Sequence, residues 1–210
     1  NPNALFHKAI TLSDYIASRI VFDPLRLFDI SPICDGAAAV VLASRSVVSG
    51  LGNVSRVRVA ASTVATSPVA LARRSEPLEL TAVAHATKTA LEQAGISRNQ
   101  LSLLELHDAY TIMTALSLEA GGFAERGTAW QLARDGRISL QGDIPISTFG
   151  GLKARGHPVG ATGAYQLVEA YLQLTGTAGA NQIANAEFAL AQNMGGTATT
   201  VINHILQRLD

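Results

Sequence analysis

The chain has 210 residues, of which 16 are basic and 16 acidic, and only 15% are charged, against about 25% in an average soluble domain. A balanced charge without any basic tract interleaved with aromatics argues against nucleic acid and against an anionic membrane surface as partners. The single cysteine, Cys34, excludes an internal disulfide framework or a cysteine-built zinc site and fits a reducing, cytoplasmic compartment.

The low charge and positive mean hydropathy predict that another domain or subunit covers part of the surface, so an oligomer is expected. The longest nearly apolar run, GAAAVVLA at 36–43, falls far short of the roughly 20 residues of a membrane helix. No signal peptide opens the chain. It begins NPNALFHKAI, without methionine or a capping signal, and reads as a start in mid-structure. A fragment, or one chain of a longer product, is expected.

Residues 1–33 are irregular, with Pro2, Pro24 and Pro32 and a short helix around ITLSDYIASR. DGAAAVVLAS at 35–44 has the small and β-branched residues of a strand buried on both faces. RVRVAASTVA at 56–65 alternates as a strand does, and ELTAVAHATKTALEQAG at 79–95 shows helical apolar spacing closed by Gly95. LSLLELHDAY at 101–110 is a strand running into a polar corner, followed by a helix over YTIMTALSLEAGG. A loop-rich stretch over 123–143 holds a short helix at TAWQLARDG, and GATGAYQLVEAYLQLTG at 160–176 is a helix rich in apolar positions. FALAQNMGGTATTVINHIL reads as two strands joined by a turn at QNMGG. The series is mixed α/β.

Three polar corners stand out: HDAY at 107–110, RGHPVGATG at 155–163 and AQNMGG at 191–196. Polar turns beside apolar strands can converge on one pocket. His157 precedes a helix whose free N–H groups favour developing negative charge, and an imidazole there can move protons; the alternative is an incidental turn residue. Each other corner also has a plain reading. His107 can sit in a corner where Asp108 accepts backbone N–H bonds, and Gln192 and Asn193 can satisfy the backbone of a turn. Glu105 and Asp143 read as surface or capping carboxylates.

The order of these corners, a strand with HDAY, then GGLKARGHPVGATGA, then QNMGG in a closing hairpin, resembles the carboxyl-terminal half of the thiolase superfamily. GHPVGATG is its most specific block. DGAAAVVLAS resembles the last strand of that family's amino-terminal domain, and HD at 107 and 108 is similar to the sterol-carrier-protein-type and archaeal acetyl-CoA acetyltransferase branch. The resemblance implies a thiolase-like α/β fold, with a βαβαβαββ half in this chain and α-β-α-β-α layers in the complete protein. Residues 1–54 would then be the end of the loop domain plus that last strand, and 55–210 the carboxyl-terminal domain. It also implies an acyl-CoA substrate, a missing amino-terminal thiolase half, a homo-oligomeric complete protein and a place in lipid metabolism. Coenzyme A would be part of the substrate rather than a bound cofactor, and no metal is implied.

Carried onto this sequence, the resemblance makes His157 the residue that activates the nucleophilic cysteine and helps bind the thioester oxygen. His107 completes that oxyanion site, and a backbone N–H at Met194 or Gly195 supplies a second donor. Asp108 fixes the corner. Two positions depart from the family pattern. The acylated cysteine lies outside these residues, since Cys34 lacks its context, and the acid/base cysteine positions are read as Gln192 and Ala109, neither of which exchanges protons near neutral pH. Tyr110 stands beside the corner as a possible substitute. Three readings stay open: an acyltransferase performing Claisen condensation or thiolysis, a retro-aldol C–C lyase acting on a β-hydroxyacyl-CoA, and a non-catalytic acyl-CoA-binding subunit. The third would work beside a true thiolase or a small acyl-CoA-binding partner protein.

Overall fold

The structure, a computed structural model, describes residues 1–52 and 56–209. The amino-terminal part carries helix α1 (Leu12–Ala17), a small hairpin of β1 (Ile20–Phe22) and β2 (Leu25–Arg26), and helix α2 (Arg45–Ser49). Then follow β3 (Val57–Thr66), α3 (Thr81–Ala94), β4 (Leu103–Glu105), α4 (Thr111–Ala120), α5 (Ala129–Arg134), α6 (Gly151–Arg155), α7 (Thr162–Leu174), β5 (Phe188–Gly195) and β6 (Thr200–Arg208). The predicted domain boundary at residue 54 lies outside the described residues.

β3 to β6 form one sheet in the order β3-β6-β5-β4, antiparallel except for the parallel β4–β5 pair. A single parallel bridge between Leu104 and Ile146 marks the place of a further strand beyond β4. With that bridge counted, the order is the expected βαβαβαββ. Side chains alternate across the sheet. On one face Leu104, Phe188, Leu190 and Ile205 pack with Leu91 of α3, Leu118 of α4 and Leu132 of α5. On the other, Leu103, Ala189 and Leu206 pack with Ala170 and Leu174 of α7. Each such large side chain contributes roughly 1.5–3 kcal/mol by leaving water, so the two layers clamp the sheet and fix the ends of β4 and β5.

Helix α3 buries Ala82, Val83, Ala86, Ala90 and Leu91 along one stripe. It stops where Gly95 takes φ +70°, a left-handed turn that lets Ile96 N–H reach Leu91 O. Two expectations fail. Residues 35–44 form no strand: Val41 and Leu42 are 95% and 78% exposed, because a strand needs a neighbour to complete its backbone bonds and none of the described strands lies beside this one. Gln192, Asn193 and Met194 belong to β5 itself, and the turn begins one step later, at Gly196.

Candidate active site

The turn between α6 and α7 and the corner after β4 bring His157 and His107 together. Their ring centroids are 5.2 Å apart and their planes stand at 87°. The GHP turn that carries His157 is held from both sides. Gly156 has φ +102°, and any Cβ there would run into Cys34 Sγ. The His157 N–H donates to Pro32 O at 2.8 Å, so the amino-terminal segment lies along the turn as a one-residue strand opposite Ile33. That segment is itself anchored. Lys153 Nζ donates to Ile30 O at 2.7 Å, and buried Asp29 accepts from the Tyr15 and Thr111 hydroxyls.

Each histidine has one nitrogen committed. Thr162 Oγ1 lies 3.0 Å from Pro158 O and 2.7 Å from His157 Nδ1; with its only proton given to Pro158 O, the contact with His157 runs from Nδ1–H to the hydroxyl oxygen. Nε2 of His157 is then left with a free lone pair. His107 has the opposite arrangement. Asn193 Nδ2 donates to His107 Nδ1 at 3.3 Å and to Gln166 Oε1 at 3.0 Å, which leaves the His107 proton on Nε2. Burial, assisted by the neighbouring His157, pushes His107 down to about 4, and burial with the Arg155 charge lowers His157. Both rings are therefore neutral near pH 7, one presenting an acceptor and the other a donor.

Buried Gln166 ties this pair to the sheet, donating through Nε2 to Gln192 O at 2.9 Å and Glu105 O at 3.3 Å. Phe188 O accepts from Ser102 N–H at 2.8 Å on the same β4 side. Since backbone direction repeats every second residue, the Met194 N–H faces that edge too, past the last β4 residue. Gly195 is instead registered opposite Thr200, and its carbonyl accepts from Thr199 N–H at 3.1 Å.

Other predicted residues take different places. Asp108 is buried and accepts from Leu152 N–H at 2.8 Å and Lys153 N–H at 3.3 Å, so it caps α6 rather than its own corner. Tyr110 opens α4 and is 41% exposed. The Gln192 side chain lies between Leu190 and Met194 on the α3 side of the sheet, away from the histidines, and Asn193 points toward them. Position 192 is thus not where β5 offers a side chain to the pair; position 193 is. Glu105, read as a surface or capping carboxylate, is fully buried, whereas Asp143 is exposed and paired with Arg137. Thr162 and Gln166 escaped the sequence reading, although both follow the GHP block at one-turn spacing on α7. Among the described residues no three His, Cys, Asp or Glu side chains gather to hold a metal ion, and no helix is long and apolar enough to cross a membrane.

Residues 63–208 match the family model described as thiolase C-terminal domain-like. The chain belongs to the thiolase C-terminal domain family. This thiolase domain is 40% identical over 208 residues to an acetyl-CoA acetyltransferase of Methanothermobacter thermautotrophicus, covering 99% of the chain and 54% of that relative. It is 33% identical to sterol carrier protein 2 of Homo sapiens over 206 residues, 96% of the chain and 38% of the relative. The solved Ltp2-ChsH2(DUF35) aldolase shares its fold with a TM-score of 0.85 at 23% identity, over 99% of this chain and 54% of that one. The thiolase domain described here thus spans about half the length of the curated archaeal relative, or less than half in the human case.

Proposed function

We propose that this chain is the carboxyl-terminal half of an acyl-CoA acyltransferase, and that His107 and His157 form the part of its site that handles the thioester. The observation that supports this most directly is the opposite character of the two Nδ1 partners, a hydroxyl for His157 and an amide for His107, which assigns opposite tautomers to the pair. A Claisen condensation or its thiolytic reversal needs a base for a thiol and donors for the oxygen that gains charge. His157 Nε2, unprotonated, accepts the proton of a nucleophilic thiol supplied from outside these residues; as it does so, the imidazolium becomes a donor to the thioester oxygen. His107 Nε2–H is a donor throughout, because burial keeps the ring neutral. The Met194 N–H, turned to the open end of β4, is the backbone donor this reading takes, since the Gly195 N–H turns the other way, toward β6. The homologous acetyl-CoA acetyltransferase supports the same reaction class.

The test is incubation of the complete protein with acetyl-CoA, followed by mass spectrometry. An acetyl increment on a cysteine is expected; its absence in a folded, acyl-CoA-binding protein removes the acyltransferase reading. A retro-aldol C–C lyase is the second reading. It is favoured by Ala109, two residues after His107, and by Asn193, bonded to His107, neither of which offers a group that exchanges protons near neutrality. Release of an aldehyde or ketone from a β-hydroxyacyl-CoA would select it.

A further inference from the structure

Behind the two histidines lies a buried charged cluster for which the proposed chemistry has no use. Arg155, the last residue of α6, pairs through Nε with Glu169 Oε1 of α7 at 2.5 Å and through Nη2 with Oε2 at 3.4 Å. Both side chains are nearly solvent-free, 9% and 5% exposed, and the guanidinium also stacks over Tyr165 with 4.8 Å to the ring centroid. Glu105 of β4 lies beside them, fully buried. Its Oε1 accepts from Thr148 N–H at 3.1 Å and its Oε2 has no hydrogen-bond partner, while the Glu105 and Glu169 carboxyls come within hydrogen-bond reach of each other. Two ionised carboxylates have no proton with which to make that bond; if one of them is protonated, it can.

We propose that Arg155, Glu169 and Glu105 are positioning residues that hold the His157 turn against the His107 corner, with Glu105 present as a neutral acid donating to the Glu169 carboxylate. The connectivity supports this. Arg155 immediately precedes Gly156 and His157, Glu169 lies two turns after Thr162 on the helix that binds His157 Nδ1, and Glu105 stands two residues before His107. The cluster therefore links the three elements that carry the pair. With one positive and one negative charge it is neutral, which a buried group of this kind requires. Burial, then the Glu169 charge, places the Glu105 carboxyl well above its usual range. The titratable groups nearest His157 are Arg155 from α6, His107 from the β4 corner and Cys34 from the amino-terminal segment; Asp108 is held at the start of α6.

The functional half of this proposal rests on the thioester reading; its structural half does not, and the test separates them. In the complete protein, infrared difference spectra should show a protonated carboxyl band at pH 7 that is missing from Glu105→Gln. Nuclear magnetic resonance of the His157 side chain reports the rest without turnover. Glu105→Gln, whose amide still donates to Glu169, should keep the wild-type His157 titration, while Glu105→Leu should not. Glu169→Gln leaves Arg155 unpaired and should lower the His157 titration further; Arg155→Met should raise it. If turnover is measurable, Glu169→Gln should reduce kcat by about a hundredfold with little change in KM, the scale of a misplaced catalytic group. Absence of the carboxyl band, or a Glu105→Gln variant as perturbed as Glu169→Gln, overturns the proposal. Should Glu169→Gln fail to fold, the wild-type band and the Glu105→Gln titration still decide it.

Discussion

His107 and His157 meet edge to face at 5.2 Å, and each is held at Nδ1 by a partner of opposite kind, an amide donor on β5 for His107 and a hydroxyl acceptor on α7 for His157. Removing the hydroxyl should release the His157 tautomer. Thr162→Val in the complete protein is expected to cut turnover by about 10²-fold, the low end of what a positioned acid or base contributes, and Thr162→Ser should recover most of it. Long-range nitrogen NMR checks the tautomer independently, as a mixed Nδ1/Nε2 signal for His157 in the valine variant. A single, unchanged tautomer would show that Thr162 is not what fixes the ring.

The same burial that keeps the histidines neutral makes the fold sensitive to acid. Burial, then the neighbouring His157, pushes His107 down to about 4 in the folded chain against 6.5 ordinarily. Between those values the unfolded chain binds more protons, so stability rises with pH there: the contribution is complete above 6.5 and is lost as pH falls through 4. The loss is on the order of 3 kcal/mol. His157 and His204, lowered in the same direction by burial, add to it as pH falls below the ordinary histidine range. Glu105 acts in the opposite sense, its raised value favouring the folded chain at low pH. Urea unfolding of His107→Asn should therefore decline less than wild type between pH 6.5 and 4, and parallel declines would count against this origin.

Two glycines carry the approach to His157. Gly151 has φ +58° and lies against the Asp108 carboxylate, and Gly156 has φ +102° against Cys34. Alanine at either position forces a side chain into a left-handed backbone, at about 1–3 kcal/mol, and into an occupied space as well. Gly151→Ala should be the more damaging, because it displaces the carboxylate that caps two N–H groups of α6. Thermal unfolding of the two variants beside Gly160→Ala, where a Cβ meets nothing, provides the comparison.

Much of this site is legible in the sequence because its chemistry resides in compact blocks. HDAY and GHPVGATG point to His107 and His157 directly, and the periodicity of α3, β3 and β6 follows from apolar spacing. What is not legible depends on which face of a strand a residue takes. Gln192 and Asn193 are neighbours in FALAQNM, a run buried on both faces, so no alternation of polarity says which one meets the histidines. Glu105 lies in the apolar run LSLLEL as its one acid, and only the arrival of Arg155 and Glu169 from distant elements makes its burial tolerable. Residues 35–44 mislead in the opposite way, with the composition of a buried strand and no partner among the described strands.

Gln166 offers the sharpest test of how the polar layer is built. It is 1% exposed, and its amide makes three bonds, giving protons to Gln192 O and Glu105 O and taking one from Asn193. Leucine of similar size removes all three at once. A buried group left without its partner costs about 1–3 kcal/mol, so Gln166→Leu should lose at least that amount in urea unfolding, despite gaining apolar contact on α7. Its second effect is local. Asn193, relieved of Gln166, is free to rotate its amide, and His107 Nδ1 loses the donor that kept its proton on Nε2. The His107 tautomer should become mixed in the leucine variant and stay single in Gln166→Glu, whose carboxylate still accepts from Asn193. A leucine variant that keeps both its stability and a single His107 tautomer would show that the β5 backbone holds Asn193 by itself.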